Sequence, residues 1–200
     1  DIRLGDKLGT FLKKIKCTKY GNFTAYTNSD KDSRGVAILF NNSLDFSVLS
    51  EFRDPDQNLL ILDVSIKSIR CSLVCAYGPK QGDNPSFLTD IKTKLISLQN
   101  PIYFIAGDLN CIPCLSPPAS NIDLKNTLSI PNPSHSRILN KMIEESFFID
   151  TFRSLNPSMH TYSYTPFGDT RLNRSRIDHF LSSVDIFSNI NSMTYLPQPK

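Results

Sequence analysis

The sequence predicts an α/β layered sandwich whose strands pair mainly as antiparallel hairpins. Two observations carry that prediction. Short β-rich runs bounded by Asp, Asn, Ser, Pro or Gly recur along the chain, and only single stretches of helical spacing lie among them.

In order, the strand runs are "RGVAILF" (34–40), "LLILDVSI" (59–66), "IRCSLVCAYG" (69–78), "PIYFIAGD" (101–108) and "SRIDHFLSS" (175–183). "IKS", residues 66–68, is the turn between the second and third, so those two runs form an antiparallel hairpin. In "SFLTDIKTKLISLQN" (86–100), Phe87, Leu88, Ile91, Leu95 and Leu98 fall on one helical stripe, with Ser86 as N-cap after Pro85. "SHSRILNKMIEESF" (134–147) repeats the pattern through Ile138, Leu139, Met142 and Ile143. The segment between them, "CIPCLSPPASNIDLKNTLSIPNPS" (111–134), is too Pro-rich to be regular and long enough to be a functional loop.

A chain of 200 residues suffices for one domain with a real core, so a single domain over 1–200 is expected. The 40% hydrophobic and 20% charged content, with 13 Pro and 8 Gly spread without a repeat, excludes a collagen-like or wholly disordered chain. A net charge of +3 permits contact with a phosphate backbone but falls short of the strongly basic signature of a dedicated nucleic-acid binder. Cysteines at 17, 71, 75, 111 and 114 are odd in number and lack framework spacing, which favours free thiols in a reducing compartment. No apolar run reaches the length of a membrane span and the first residues lack a signal-peptide pattern, so a soluble intracellular protein is expected.

The chemistry concentrates where "PIYFIAGDLN" (101–110) stops being apolar. Side chains alternate faces along a strand, so Asp108 and Asn110 are expected to leave the sheet together while Leu109 turns back to the core. Gly107 leaves room for a ligand or another backbone. A carboxylate and a carboxamide there could bind a hard cation or orient a water for attack on phosphorus. The plainer reading is that both residues begin a turn.

"CIPC" (111–114) invites a zinc reading, but the other pair, Cys71 and Cys75, is separated by four strand residues, roughly 13 Å at the usual rise. Small apolar loop residues describe these thiols better. Lys7, Lys13, Lys14, Lys16 and Lys19 cluster near the start as a solvated helix face, which would make affinity fall with salt if the domain binds DNA.

Taken in chain order, "RGVAILF", "AYGPK" (76–80), "GDLN" and "SRIDHFLSS" resemble the endonuclease, exonuclease and phosphatase superfamily, and most closely the apurinic/apyrimidinic-like endonuclease domain of non-LTR retrotransposons. The resemblance covers essentially the whole chain. It implies a four-layer sandwich of two mainly antiparallel β-sheets flanked by helices. It also implies divalent-metal-dependent phosphodiester hydrolysis with Mg or Mn, DNA as partner and no membrane. A nuclear protein fused to a reverse transcriptase is implied by the same resemblance, with nicking that exposes a 3′ hydroxyl to prime reverse transcription.

By the same resemblance, Asp108 matches the Asp of the metal-centred site that activates or orients the water, and Asn110 the Asn that holds the phosphate in its transition state. Tyr77 matches the Tyr of the Y-x-P motif, whose hydroxyl approaches the phosphate, and Asp178 the Asp of S-x-I-D, which positions the catalytic groups. Asp1 stands where the family has a Glu metal ligand, one methylene shorter. A core tyrosine is the plain alternative for Tyr77, and an ion pair with Arg176 on the same strand face that for Asp178. Arg171 and Arg174, in "TPFGDTRLNRSR" (165–176), match a hairpin that reaches into the minor groove, with a disordered loop of incidental charge as the plain alternative, and Lys80 replaces the Asn that often comes after Y-x-P.

The family's first-strand Asn and its terminal S-D-H strand have no counterpart here, so the chain reads as the domain without its first and last strands or as a decayed copy, and weak or absent activity is expected. His179 should point away from Asp178 and pack, leaving it unable to serve as the missing base. A small-molecule or lipid phosphatase and a catalytically dead DNA-binding relic are the alternatives.

Overall fold

The computed structural model describes residues 22–29, 35–80, 82–113, 121–126, 129–166 and 173–195. The chain divides into two compact units, Asp1–Tyr77 and Gly78–Lys200.

In the first unit, β1 (Phe23–Ser29) and β2 (Gly35–Asn41) form an antiparallel ladder. β3 (Phe46–Arg53), β4 (Leu59–Ile66) and β5 (Ile69–Ala76) form another, with β4 in the middle. β4 is buried at every position from Leu59 to Val64, which is why its sequence reads as a continuous apolar run and does not alternate. The one carboxylate in that run, Asp63, is neutralised by Arg70, whose Nε and Nη2 donate to its two oxygens at 3.1 and 2.6 Å. β3 escapes the sequence pattern because much of it is solvated and because its register shifts between Val48 and Ser50, leaving Leu49 54% exposed. Asn28 ties the β1–β2 ladder to the β3–β4 turn: its Nδ2 donates to Asp54 O, Asp54 Oδ1 and Leu59 O at 2.8, 2.9 and 3.0 Å.

The β4–β5 hairpin forms where expected. Lys67 and Ser68 are its two loop residues, both left-handed at φ 47° and 68°, and Ile66 pairs with Ile69.

The second unit opens with α1 (Phe87–Leu98), which buries Phe87, Leu88, Ile91 and Leu95 and ends on left-handed Gln99. Ser86 occupies the N-cap position, and its carbonyl accepts from Asp90 N–H at 2.8 Å, but its side chain accepts nothing from the helix. Its hydroxyl instead donates to Asp90 Oδ2 at 2.7 Å, with Asn84 Oδ1 at 3.1 Å. α2 (Pro133–Glu144) buries His135, Ser136, Leu139 and Met142. It stops before the expected 147 because Ser146 turns left-handed and sends Phe148 into the core.

Three strands order as β6 (Tyr103–Asp108), β10 (Asp178–Ser182) and β8 (Ile149–Asp150), all antiparallel. A separate ladder joins β7 (Leu124–Lys125) to β9 (Arg174–Ser175), and α3 (Thr151–Leu155) and α4 (Val184–Phe187) complete the unit. The single strand expected over 175–183 is therefore two. Ser175 pairs with Leu124 and Tyr164, Asp178 pairs with Asp108, and the residues between bond elsewhere: Arg176 N–H to Asp123 O and Ile177 N–H to Ser163 Oγ.

Candidate active site

β6 ends on Asp108, and the chain turns there instead of continuing as a strand. Asp108 Oδ1 accepts from Asn110 N–H at 2.8 Å, Asn110 is left-handed at φ 50°, and Leu109 between them is 1% exposed. The expected divergence of Leu109 from its neighbours thus holds, but its cause is a turn closed by a side chain and not strand alternation. The turn-former reading of "GDLN" describes this geometry.

Gly78 fastens this turn. Its N–H donates to Asp108 O at 2.6 Å, and its carbonyl accepts from Asn110 Nδ2 at 2.7 Å. A Cβ on Gly78 would lie 2.2 Å from Leu109 O and 2.4 Å from Leu109 C, so only glycine permits the approach. Gly107, at φ 146°, supplies the second backbone conformation that disfavours a side chain.

Asp178, the first residue of β10, is the Cα partner of Asp108 across the ladder. Cross-strand partners share a face, so two carboxylates stand side by side. Burial pushes the Asp108 carboxyl up to about 6, the charge of Asp178 adds to the rise, and the Asn110 N–H opposes it. Asp178 is anchored through its backbone: its N–H donates to Ser163 Oγ at 3.0 Å, and its carbonyl accepts from the Tyr195 hydroxyl.

Arg176 does not pair with Asp178. It is 0% exposed and held by Asp123, at 2.8 Å from both Nε and Nη2, and by Asp150 at 2.5 Å. The break between β9 and β10 removes the shared strand face that an Arg176–Asp178 pair requires. His179 is buried as expected, between Arg176 Nη1 at 3.1 Å and the Cys111 carbonyl at 2.8 Å. Burial and the Arg176 charge both push its pKa down.

Behind the Gly78–Lys80 segment, Asn132 Nδ2 donates to Pro79 O at 3.1 Å, while its Oδ1 faces His135 Nδ1 at 2.8 Å. His135 Nε2 faces Asn84 O at 3.0 Å. Lys80 is exposed at the end of that segment. Tyr77 closes the first unit, where its N–H donates to Asn58 O at 2.7 Å. Arg174 lies in β9 opposite Lys125. Asp1 and Arg171 lie outside the described residues.

The structure thus brings together Asp108, Asn110 and Asp178. Sequence reasoning missed Ser163, Asn132, Asp123, Asp150 and Tyr195, which act through bonds to residues far along the chain and carry no local pattern. Among the described residues no three His, Cys, Asp or Glu side chains gather around one point. The Asp108–Asp178 pair with the Asn110 amide nonetheless fits Mg or Mn, which take one or two carboxylates and keep several waters. Two carboxylates confined together, one with raised proton affinity, are a site that a cation relieves.

A family model described as the endonuclease/exonuclease/phosphatase family matches residues 3–193. The chain belongs to this family. Among solved structures, an AP endonuclease from Archaeoglobus fulgidus is similar at 18% identity and TM-score 0.61, covering 83% of this chain and 68% of that one. The 3′ phosphatase NExo from Neisseria, bound to a product DNA hairpin, is similar at 15% identity and TM-score 0.59, covering 90% and 71%. TDP2 from D. rerio, complexed with a single-strand DNA product, is similar at 15% identity and TM-score 0.56, covering 90% and 68%. At these identities the likeness establishes the endonuclease/exonuclease/phosphatase fold, in the α/β class the sequence predicts. Membership in the family supports hydrolysis of phosphodiester bonds as the chemistry of this fold. Among the described residues no helix is long and apolar enough to cross a membrane.

Proposed function

We propose that this endonuclease/exonuclease/phosphatase chain cleaves phosphodiester bonds of DNA with Mg or Mn, as the nicking endonuclease module of a non-LTR retrotransposon protein. The observation that carries the reading is the opposed pair Asp108 and Asp178 at the end of β6, with Asn110 locked beside them.

Burial raises the proton affinity of Asp108, which suits it to take a proton from water. Asp108 orients the attacking water and accepts its proton as the water oxygen bonds to phosphorus and the bridging oxygen departs. Asn110 keeps one amide hydrogen beyond its bond to Gly78, and donates it to a phosphate oxygen. Tyr77 donates its hydroxyl to the phosphate, Asp178 raises the proton affinity of Asp108 from across the ladder, and Lys80, Arg171 and Arg174 meet the DNA backbone by charge. Asp108, with Asp178 beside it, would hold Mg or Mn, with Asp1 a further ligand on the strength of the family resemblance alone, and the ion when bound neutralises charge on the phosphate. Fusion to a reverse transcriptase and action in the nucleus rest on the order of the four motifs along the chain.

The test is nicking of supercoiled plasmid by the chain with Mg, beside Asp108→Ala and a chelator. Open-circular product lost in both controls is expected. A folded chain that leaves plasmid intact but removes a 3′ phosphate from an oligonucleotide would move the reading to phosphatase, and binding without either activity would make it a DNA-binding relic.

A further inference from the structure

The charges around Arg176 balance without the candidate active site. Arg176 and Arg153 face Asp123 and Asp150, two cations against two anions, with Arg153 Nη2 on Asp123 Oδ1 at 2.5 Å. Nη1 makes a long 3.3 Å contact to Asp150 Oδ1 and points to His179 Nδ1 at 3.1 Å.

A guanidinium has no acceptor, so His179 Nδ1 must accept and the ring proton must sit on Nε2. Nε2–H then donates to the Cys111 carbonyl at 2.8 Å. Cys111 is 0% exposed, so without His179 that carbonyl would be a buried acceptor lacking this partner. Cys111 comes directly after Asn110, whose left-handed backbone closes the turn on Asp108. The clamp therefore grips the outgoing end of the turn whose incoming end Gly78 holds. His179 is also the Cα partner of Gly107 and the neighbour of Asp178, so it acts from the opposite face of the same two strands.

We propose that Arg176 and His179 form a positioning relay: Arg176 fixes the tautomer and orientation of His179, and His179 holds the Cys111 carbonyl so that Asp108 and Asn110 keep their working geometry. His179 here is a positioning residue and exchanges no proton with substrate. Its role in turnover rests on the phosphodiesterase reading above, whereas its role in the turn does not.

The test compares His179→Leu, which has neither donor nor acceptor, with His179→Gln, whose amide restores a donor toward Cys111. Two readouts are used: hydrogen exchange of the Asn110 amide, and kcat and KM for nicking. His179→Leu is expected to speed Asn110 exchange about tenfold or more and lower kcat by about a hundredfold with KM within about twofold, a loss typical of misplaced groups. His179→Gln should recover most of both. Unchanged Asn110 exchange in His179→Leu overturns the relay. A wild-type chain that does not nick fails the function alone, and the exchange arm still decides. Should His179→Leu not fold, nitrogen NMR of the wild-type ring decides: a protonated Nε2 and bare Nδ1 support the relay, and the reverse tautomer ends it.

Discussion

Asp178 lies directly across the β6–β10 ladder from Asp108, so two carboxylates face one side of the second unit where β6 turns away. Like charges so placed resist simultaneous ionisation. Asp108, pushed up to about 6 by burial and by Asp178, should show this in a carboxyl carbon NMR titration. Its apparent midpoint is expected near 6 in the metal-free chain and lower in Asp178→Asn. A midpoint that ignores the substitution would remove the electrostatic part of the account and leave burial alone. Added Mg should lower the wild-type midpoint, because a bound cation favours the carboxylate.

The same shift carries a stability cost with a definite sign. A carboxyl whose folded pKa exceeds its unfolded value favours folding in its protonated form. Its contribution is fully present below about 3.8 and is lost as pH rises to about 6. Asp108→Asn should therefore be more stable than wild type above pH 6, by about 1 kcal/mol once solvent screening of this partly exposed group is allowed for. At about pH 3.5, below the ordinary carboxylate range, the difference should vanish. Urea unfolding at acid and at mildly alkaline pH measures it, and equal stability at the alkaline end would contradict it. Activity should disappear in the same variant.

The elements legible in the sequence are those whose pattern is local. β4 announces itself because both faces are buried, and α1 because Phe87, Leu88, Ile91 and Leu95 recur at helical spacing. β3 is hidden by Ser47, Ser50, Glu51 and Arg53, which make a half-solvated strand look like loop. At the site, Asp108 and Asp178 stand out through motif order, but their supports do not. Ser163 reaches Asp178 from fifteen residues away, and Asp123 reaches Arg176 from fifty-three, so no window of sequence holds both ends. Arg176 is matched to Asp178 only by assuming spacing along one strand, where the chain in fact changes ladders.

Gly78→Ala tests the fastening of the turn. The added methyl would meet backbone atoms of Leu109, which cannot rotate away as a side chain could. Destabilisation of about 1–3 kcal/mol is expected, as for overpacking elsewhere. Loss of Asn110 amide protection should accompany it. Denaturant unfolding and exchange together distinguish this from a variant that merely loosens the chain globally.

The buried charge cluster gives acid sensitivity of the opposite sign. Burial alone would raise the Asp123 pKa, but hydrogen bonds and charge from Arg176, then Arg153, outweigh it and hold the carboxyl below its ordinary value. Stability from this group is present above about 3.8 and is lost as pH falls through the depressed folded pKa. Asp123→Asn should cost about 3–5 kcal/mol near neutrality, because it strands buried guanidinium charge. The deficit relative to wild type should shrink as the pH falls below about 3.8. A substitution that unfolds equally at all pH values would refute the linkage.

The β4–β5 hairpin offers a gain in place of a loss. Lys67 and Ser68 are exposed and both left-handed, at φ 47° and 68°, a conformation that costs an ordinary L-residue about 1–2 kcal/mol. Asn then Gly is the pair that suits such a two-residue loop, since asparagine tolerates the left-handed region and glycine has no Cβ to clash. Lys67→Asn with Ser68→Gly should therefore stabilise the chain by about 1 kcal/mol, less whatever glycine's freedom adds to the unfolded state. The opposite control is Ser68→Val, where a β-branched residue is forced to positive φ and stability should fall. Thermal unfolding of the three chains checks both directions. Neither change touches Asp108, Asn110 or Asp178, so an effect on metal binding from the Asn-Gly variant would show that this hairpin does more than close two strands.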